Sequence, residues 1–206
     1  MNFPIPVFFI SSVVFVLFLA MKRGKQTRRQ ENTNEAFLER ERQANATRKK
    51  DISNLNYLPY TADALLLDED PDEELSQYVK ILKDLSGRKM LNLSMYSNTD
   101  LKLMYGPANL NELSECDNNY HQLSDTLLNY AERENTLQRY EAAISILEYA
   151  MSLRIDSSRI YLMLARLYDE QNTPEKIQNI FHALSSMDDS FTSHVLPKLR
   201  SSHIEE

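Results

Sequence analysis

The chain has 206 residues, 23 basic and 30 acidic, for a formal charge of −7, with three glycines, one cysteine and no tryptophan. Against a usual ~7% glycine, this leaves few positions for left-handed turns or close phosphate approach, excluding a Gly-rich nucleotide loop, a dinucleotide fingerprint and a hairpin-rich β-domain. A lone thiol, Cys116, excludes a disulfide framework and a cysteine-based zinc site.

Residues 1–21 read as a transmembrane anchor. Phe3 to Met21 carries no charge, and Ser11 and Ser12 are its polar residues. As a helix it spans roughly 28 Å, close to the ~30 Å hydrocarbon core of a bilayer. Pro4 and Pro6 fall in the opening turns, where a missing N–H costs least. A cleaved signal peptide fits less well, since no basic residue precedes the span and Phe18-Leu19-Ala20 is a poor cleavage site. Lys22, Arg23, Lys25, Arg28 and Arg29 follow within eight residues. By the positive-inside rule the protein is single-pass in the cell membrane, N-terminus outside and C-terminal body cytoplasmic. The same five side chains suit anionic headgroups.

Residues 22–60 form a basic juxtamembrane stalk. Ten Lys/Arg and four Glu in 22–50 give +6, leaving 13 basic and 26 acidic residues, a net −13, for 51–206. An acidic body argues against nucleic acid as a partner. A helix is predicted from Thr33 or Asn34 to Lys49, with a thin apolar face of Phe37, Leu38 and Ala44, followed by Ile52 and Leu55. Pro59 ends helical geometry.

Residues 61–119 read as a helical segment, either a cap or a degenerate repeat. The acidic run Asp68–Glu74 marks a helix start, with Asp70 as N-cap and Pro71 at the first position. That helix shows Leu75, Tyr78, Val79, Leu82 and Leu85 on one face and stops at Gly87. The run lacks the spacing and glycine of a calcium loop, so no metal site is read there. A short helix begins at Asn98 or Thr99 and ends at Gly106-Pro107. Leu110, Leu113 and Cys116 mark another helical face, with Cys116 a small packing residue.

Residues 120–206 carry the clearest pattern. A shift of 34 residues aligns Leu127 with Tyr161, Tyr130 with Leu164, Ala131 with Ala165, Leu147 with Phe181 and Ala150 with Leu184. Thr173 and Pro174 suit a helix start, and Ser190 to Leu199 reads as a capping helix. A further shift back places Leu93, Tyr96, Leu113 and Cys116 on core positions, hinting at a degenerate third unit over 90–123. No nucleophile, base or metal constellation stands out among the serines and the four histidines (His121, His182, His194, His203). The tyrosines of the repeat region fall at helical spacing, as packing residues do.

A 34-residue helix pair with small residues where helices cross, as in Arg139 to Ala150, resembles the tetratricopeptide repeat (TPR). Ala131 and Ala165 match the small position of the first helix; Ala143 and Ala150 match those of the second. Three features depart from the family pattern: Leu127 at the early aromatic, Ile177 at a small position, and Ile155 and Asp189 at the closing proline. The glycine-poor composition leaves an all-α chain, its apolar N-terminal run adds a transmembrane helix, and the resemblance implies that a TPR-like α-solenoid of antiparallel helix pairs follows. It also implies a concave groove for a protein or peptide partner. Carried over position by position, the groove comprises Asp125, Leu128, Glu132 and Asn135 in one unit and Arg159, Leu162, Arg166 and Asp169 in the next.

The expectation is thus a membrane-anchored interaction adaptor or scaffold, not an enzyme, needing no cofactor and offering no small-molecule substrate site. The alternatives on the same fold are an envelope-facing assembly or secretion factor, or a non-catalytic subunit of a membrane enzyme complex.

Overall fold

A computed structural model describes residues 34–65 and 71–203, and every regular element among them is helical. The all-α class expected from the glycine-poor composition is what the chain adopts over these residues. Among them no helix is long and apolar enough to cross a membrane. Phe3–Met21 and the five basic residues Lys22, Arg23, Lys25, Arg28 and Arg29 lie outside the described residues. The chain divides into two compact units, the first within residues 34–52 and 96–110, the second within 53–95 and 111–203.

The first unit pairs α1 (residues 34–46) with α3 (Asn98–Tyr105). Ser97, one or two residues before the start expected from sequence, caps α3 in a reciprocal box. Its hydroxyl accepts from the Asp100 amide at 3.2 Å, and Asp100 Oδ2 accepts from the Ser97 amide at 3.0 Å. Between the helices, Glu41 accepts from the Thr99 hydroxyl and from Lys102 Nζ at 3.0 Å, and Arg40 pairs with Asp100. The hydroxyl of Thr99 and the ammonium of Lys102 hold the Glu41 carboxyl below its usual pKa.

α1 ends at Ala46, short of the predicted Lys49. Thr47 turns its hydroxyl back to the Gln43 carbonyl at 3.0 Å, and the Lys50 amide is taken by the Tyr105 carbonyl at 3.0 Å. Gly106 closes α3 at φ 88° and ψ 147°, a conformation almost confined to glycine. A Cβ there would lie 2.6 Å from the Arg48 carbonyl oxygen.

The second unit contains α2 (Glu73–Leu85), the body of α4 (Leu110–Thr136), α5 (Tyr140–Ser152), α6 (Ser158–Glu170), α7 (Ile177–Leu184) and α8 (Asp189–His203). α2 starts three residues beyond Asp70, which itself lies outside the described residues. Asp72 is the N-cap, its Oδ1 accepting from the Leu75 amide at 2.8 Å, and Pro71 precedes the cap instead of opening the helix. The run of carboxylates offered several candidate caps, and Asp72 also reaches Arg133, whose Nε donates to its Oδ2 at 2.9 Å. Leu75, Leu82 and Leu85 are buried, and the helix gives way to Gly87 at φ 78°.

α4 runs unbroken for 27 residues, so the division expected at 119/120 falls inside a helix. The chain over 88–95 lies along its first half. Asn119 Nδ2 donates to the Lys89 carbonyl at 3.1 Å, and Asp117 Oδ1 accepts from the Leu93 amide at 2.8 Å.

The aligned positions of the 34-residue register fill one core. Leu127 and Tyr161, Tyr130 and Leu164, Ala131 and Ala165, Ala150 and Leu184 are all buried, and Phe181 packs against them partly buried. α6 lies against α5, α7 and α8, and Val195 and Leu199 of α8 complete the core.

Two substitutions separate the backbone demands. Gly87→Ala, with nothing within 4 Å of the new methyl, should cost about 1 kcal/mol. Gly106→Ala, with the carbonyl of Arg48 in the way, should cost about 3 kcal/mol or more. Urea unfolding of the full chain measures both.

Candidate partner-binding groove

The turns that leave α4 and α6 place the groove-lining residues. In the first, the amides of Leu137, Gln138 and Arg139 donate to the carbonyls of Arg133, Asn135 and Glu134. In the second, the amides of Gln171, Asn172 and Thr173 donate to those of Leu167, Asp169 and Tyr168. Each bond of the second turn is the first shifted by 34 residues, and Gln138 (φ 60°) and Asn172 (φ 53°) hold the same left-handed position. α5 closes with the same three bonds, from Leu153, Arg154 (φ 56°) and Ile155, so this αL ending, with residues other than glycine at the strained site, is common to α4, α5 and α6.

Where α4 and α6 run beside this register, a cavity of about 500 Å³ opens, lined by Glu132, Asn135, Thr136, Arg159, Leu162, Met163 and Arg166. Its floor is Leu162 and Met163, half-buried and buried. At its edge Arg159 donates to Glu132 at 2.9 Å, and Arg166 pairs with Glu170 on its own helix at 3.4 Å. Both pairs are solvent-exposed, where ion pairing is worth about 0–1 kcal/mol and is readily exchanged. The Asn135 Oδ1 is buried with no hydrogen-bond partner among the described residues.

Five of the eight positions carried over from the resemblance, Glu132, Asn135, Arg159, Leu162 and Arg166, line this one cavity. Leu128 does not. It is 2% exposed and belongs to the core, because it sits one residue beyond Leu127 on the broad buried face of α4. Asp125 is exposed on α4 about two turns before Glu132, and Asp169 is exposed one turn beyond Arg166; neither lines the cavity. Thr136 and Met163 join the lining without having been expected there. Thr136 follows Glu132 by four residues on the same helix face, a spacing that could have found it.

Neighbouring charge is committed elsewhere. Arg133 is held by Asp72 and, at 3.3 Å, by Glu74. The Leu75 amide and then the Arg133 guanidinium keep the Asp72 carboxyl below its usual pKa, and Asp72 pushes Arg133 up. The Glu134 side chain, 1% exposed, lies 3.6 Å from Arg139.

Tyrosine hydroxyls tie the second unit together. Tyr60 donates to the Leu82 carbonyl at 2.9 Å, Tyr149 to the Thr61 carbonyl at 3.0 Å, and Tyr168 to Glu148 at 2.7 Å. Tyr120 donates to Asp156 at 2.6 Å, and burial pushes its phenol well above the usual range. Tyr120 also borders a second cavity of about 540 Å³, with Tyr57, Pro59, Met90, Leu153 and Arg154. Its walls come from separate loops, and no local sequence pattern marks it. Among the described residues no three His, Cys, Asp or Glu side chains are placed to hold a metal ion.

The chain matches no family model, no curated protein and no solved structure.

Asp72 gives the unit an acid-sensitive tie. Its pKa is depressed on folding, so its contribution is present above the unfolded value near ~3.9 and fades as pH falls through the folded value. The stability gap between the wild type and Asp72→Asn should stay constant above about pH 5 and shrink below about pH 4. Denaturant midpoints across pH measure it.

Proposed function

We propose that the protein is a membrane-anchored adaptor whose second unit is a TPR-like helical array, held on the cytoplasmic side, with the cavity between α4 and α6 receiving a segment of a protein partner. The observation that carries this is that five side chains at the groove positions implied by the resemblance, Glu132 and Asn135 on α4 and Arg159, Leu162 and Arg166 on α6, line one cavity. Helix-pair arrays build such a groove from successive first helices, the place that α4 and α6 would hold in this reading. Support for the anchor is the uncharged Phe3–Met21 with basic residues on one flank alone.

The groove chemistry suits a mixed peptide. Leu162 and Met163 offer apolar contact, while Glu132, Arg159 and Arg166 offer charges of both signs that exposed pairing leaves exchangeable. The reading is one of binding, and anchoring would raise the local concentration for membrane-bound partners without new contacts.

A photo-crosslinking residue at Leu162 in the full chain, in its native membrane, should give a discrete protein adduct that the same residue at His194 on α8 does not. Arg159→Glu with Arg166→Glu should lower that adduct about tenfold or more. Equal adducts from both positions would remove the groove from the reading. Cys116 is 2% exposed and a poor label for topology. In a Cys116→Ala background, Gln122→Cys should react with an impermeant maleimide after lysis and not in intact cells.

A further inference from the structure

Two features of the first unit find no use within it. Phe37 and Leu38 stand 58% and 54% exposed on α1, although Ala44 on the same helix is fully buried. Arg40, Arg42 and Lys102 are taken up in ion pairs with Asp100, Glu39 and Glu41, whereas Arg48, Lys49 and Lys50 stand exposed in none of these. The unit therefore carries an uncovered apolar pair near one end of α1 and a basic triplet that begins two residues past the other.

We propose that these two features are a second membrane contact, resting the first unit on an anionic lipid surface with Phe37 and Leu38 at the boundary of headgroups and acyl chains. This rests on the anchored reading given above. Phe37 lies sixteen residues beyond Met21, so even a fully extended connection holds it within about 55 Å of the end of the apolar span. At that tether length a surface contact too weak for a free protein becomes populated.

The charges agree with a lipid occupant. Each basic residue at an anionic surface strengthens partitioning about fivefold, and Arg48, Lys49 and Lys50 add to the stretch from Lys22 to Arg29. Of the acidic residues nearby, Glu41 is held by Thr99 and Lys102, while the exposed Glu39–Arg42 pair leaves Glu39, with the exposed Glu35 and Asp51, as the charges that the basic residues must outweigh. Phenylalanine and leucine are the apolar residues that such interfacial helices bury, to a depth of about 5–10 Å.

The absence of tryptophan from the chain supplies the test. Phe37→Trp places a single indole reporter at an exposed position, and His194→Trp on α8 makes its control. Each full-length variant is reconstituted into vesicles of phosphatidylcholine with 30% phosphatidylglycerol, their acyl chains brominated or not. The proposal expects the Phe37→Trp variant to emit at shorter wavelength and to lose about half its intensity to brominated chains, with the His194→Trp control unaffected. Replacing Arg48, Lys49 and Lys50 by Gln should reduce that quenching, as should 0.5 M salt or vesicles of phosphatidylcholine alone. A Phe37→Trp chain that floats with the vesicles while its indole stays unquenched overturns the surface contact and leaves the anchor standing. A chain that does not float overturns both. Emission that is blue-shifted but unquenched in Phe37→Trp assigns the apolar pair to a protein partner or a second copy instead, and likewise overturns the proposal.

Discussion

The turns closing α4 and α6 decide what the rest of the second unit can be. A helix ended by an amide that bonds five residues back, across a left-handed residue, sends the chain away in one direction. The helix that follows must then lay its apolar stripe against the one just left. At Gln138 and Asn172 the chain adopts that conformation without glycine, at a cost of about 1 kcal/mol for an ordinary side chain and less for asparagine. The cost is offset by what the turn positions: Ala143, Ile146, Leu147 and Ala150 after the first turn, Ile177, Ile180 and Leu184 after the second, all buried. Small residues at Ala131, Ala143, Ala150 and Ala165 keep the helix axes close enough for this to work.

Close axes leave little room for large side chains, and tyrosine supplies the bulk. Tyr130, Tyr161 and Tyr168 are fully buried without a single tryptophan in the chain. A buried ring stabilises through its area, but its hydroxyl must find a partner or cost about 1–3 kcal/mol. Tyr161 donates to the Met187 sulfur and Tyr168 to Glu148, and other tyrosine hydroxyls reach further across sequence: Tyr120 to Asp156, Tyr149 to Thr61, Tyr60 to Leu82. These last three bonds fix the loops over 56–62 and 153–157 against helices, where apolar packing alone would leave their register loose. Asp156 is held further by the Asn92 amide, so the segment over 88–95 is drawn into the same network.

How much of this is legible in the sequence follows from which signals are local. Apolar spacing, the 34-residue register and flanking start and stop residues locate α2, α3, α5, α6, α7 and α8, although α7 opens at Ile177, after a 3-10 turn over Pro174–Lys176, and the register pairs core positions that the structure buries together. The start of α2 escapes it because several adjacent carboxylates could cap the helix, and the choice of Asp72 depends on Arg133, sixty-one residues away. α4 reads as two helices because Leu113 and Cys116 look like the end of one face and Tyr120 like the start of another. A helix packed on the 88–95 segment along its first half and on α5 and α6 beyond changes face without breaking. Of the carried-over positions, Glu132, Asn135, Arg159, Leu162 and Arg166 share one cavity, whereas Asp125 and Asp169 are exposed outside it. Leu128 lies in the core, since α4 buries more of its circumference than a helix with neighbours on one side alone. The cavity beside Tyr120 is invisible because its walls come from segments that share no local pattern.

The groove's own balance says what a partner would gain there. Glu132–Arg159 and Arg166–Glu170 are surface pairs, so exchanging them for a partner's charges changes the free energy little while still selecting where those charges sit. Affinity must then come mainly from covering Leu162 and Met163, at roughly 25 cal/mol per Å² of apolar area removed from water. Two side chains, one of them already buried, cannot supply tight binding alone. An adaptor built this way depends on something else to concentrate its partner, and a membrane tether is a device of that kind. In the proposed reading the weak groove and the apolar leader are therefore parts of one design: recognition that is selective but slight, made sufficient by restriction to a surface.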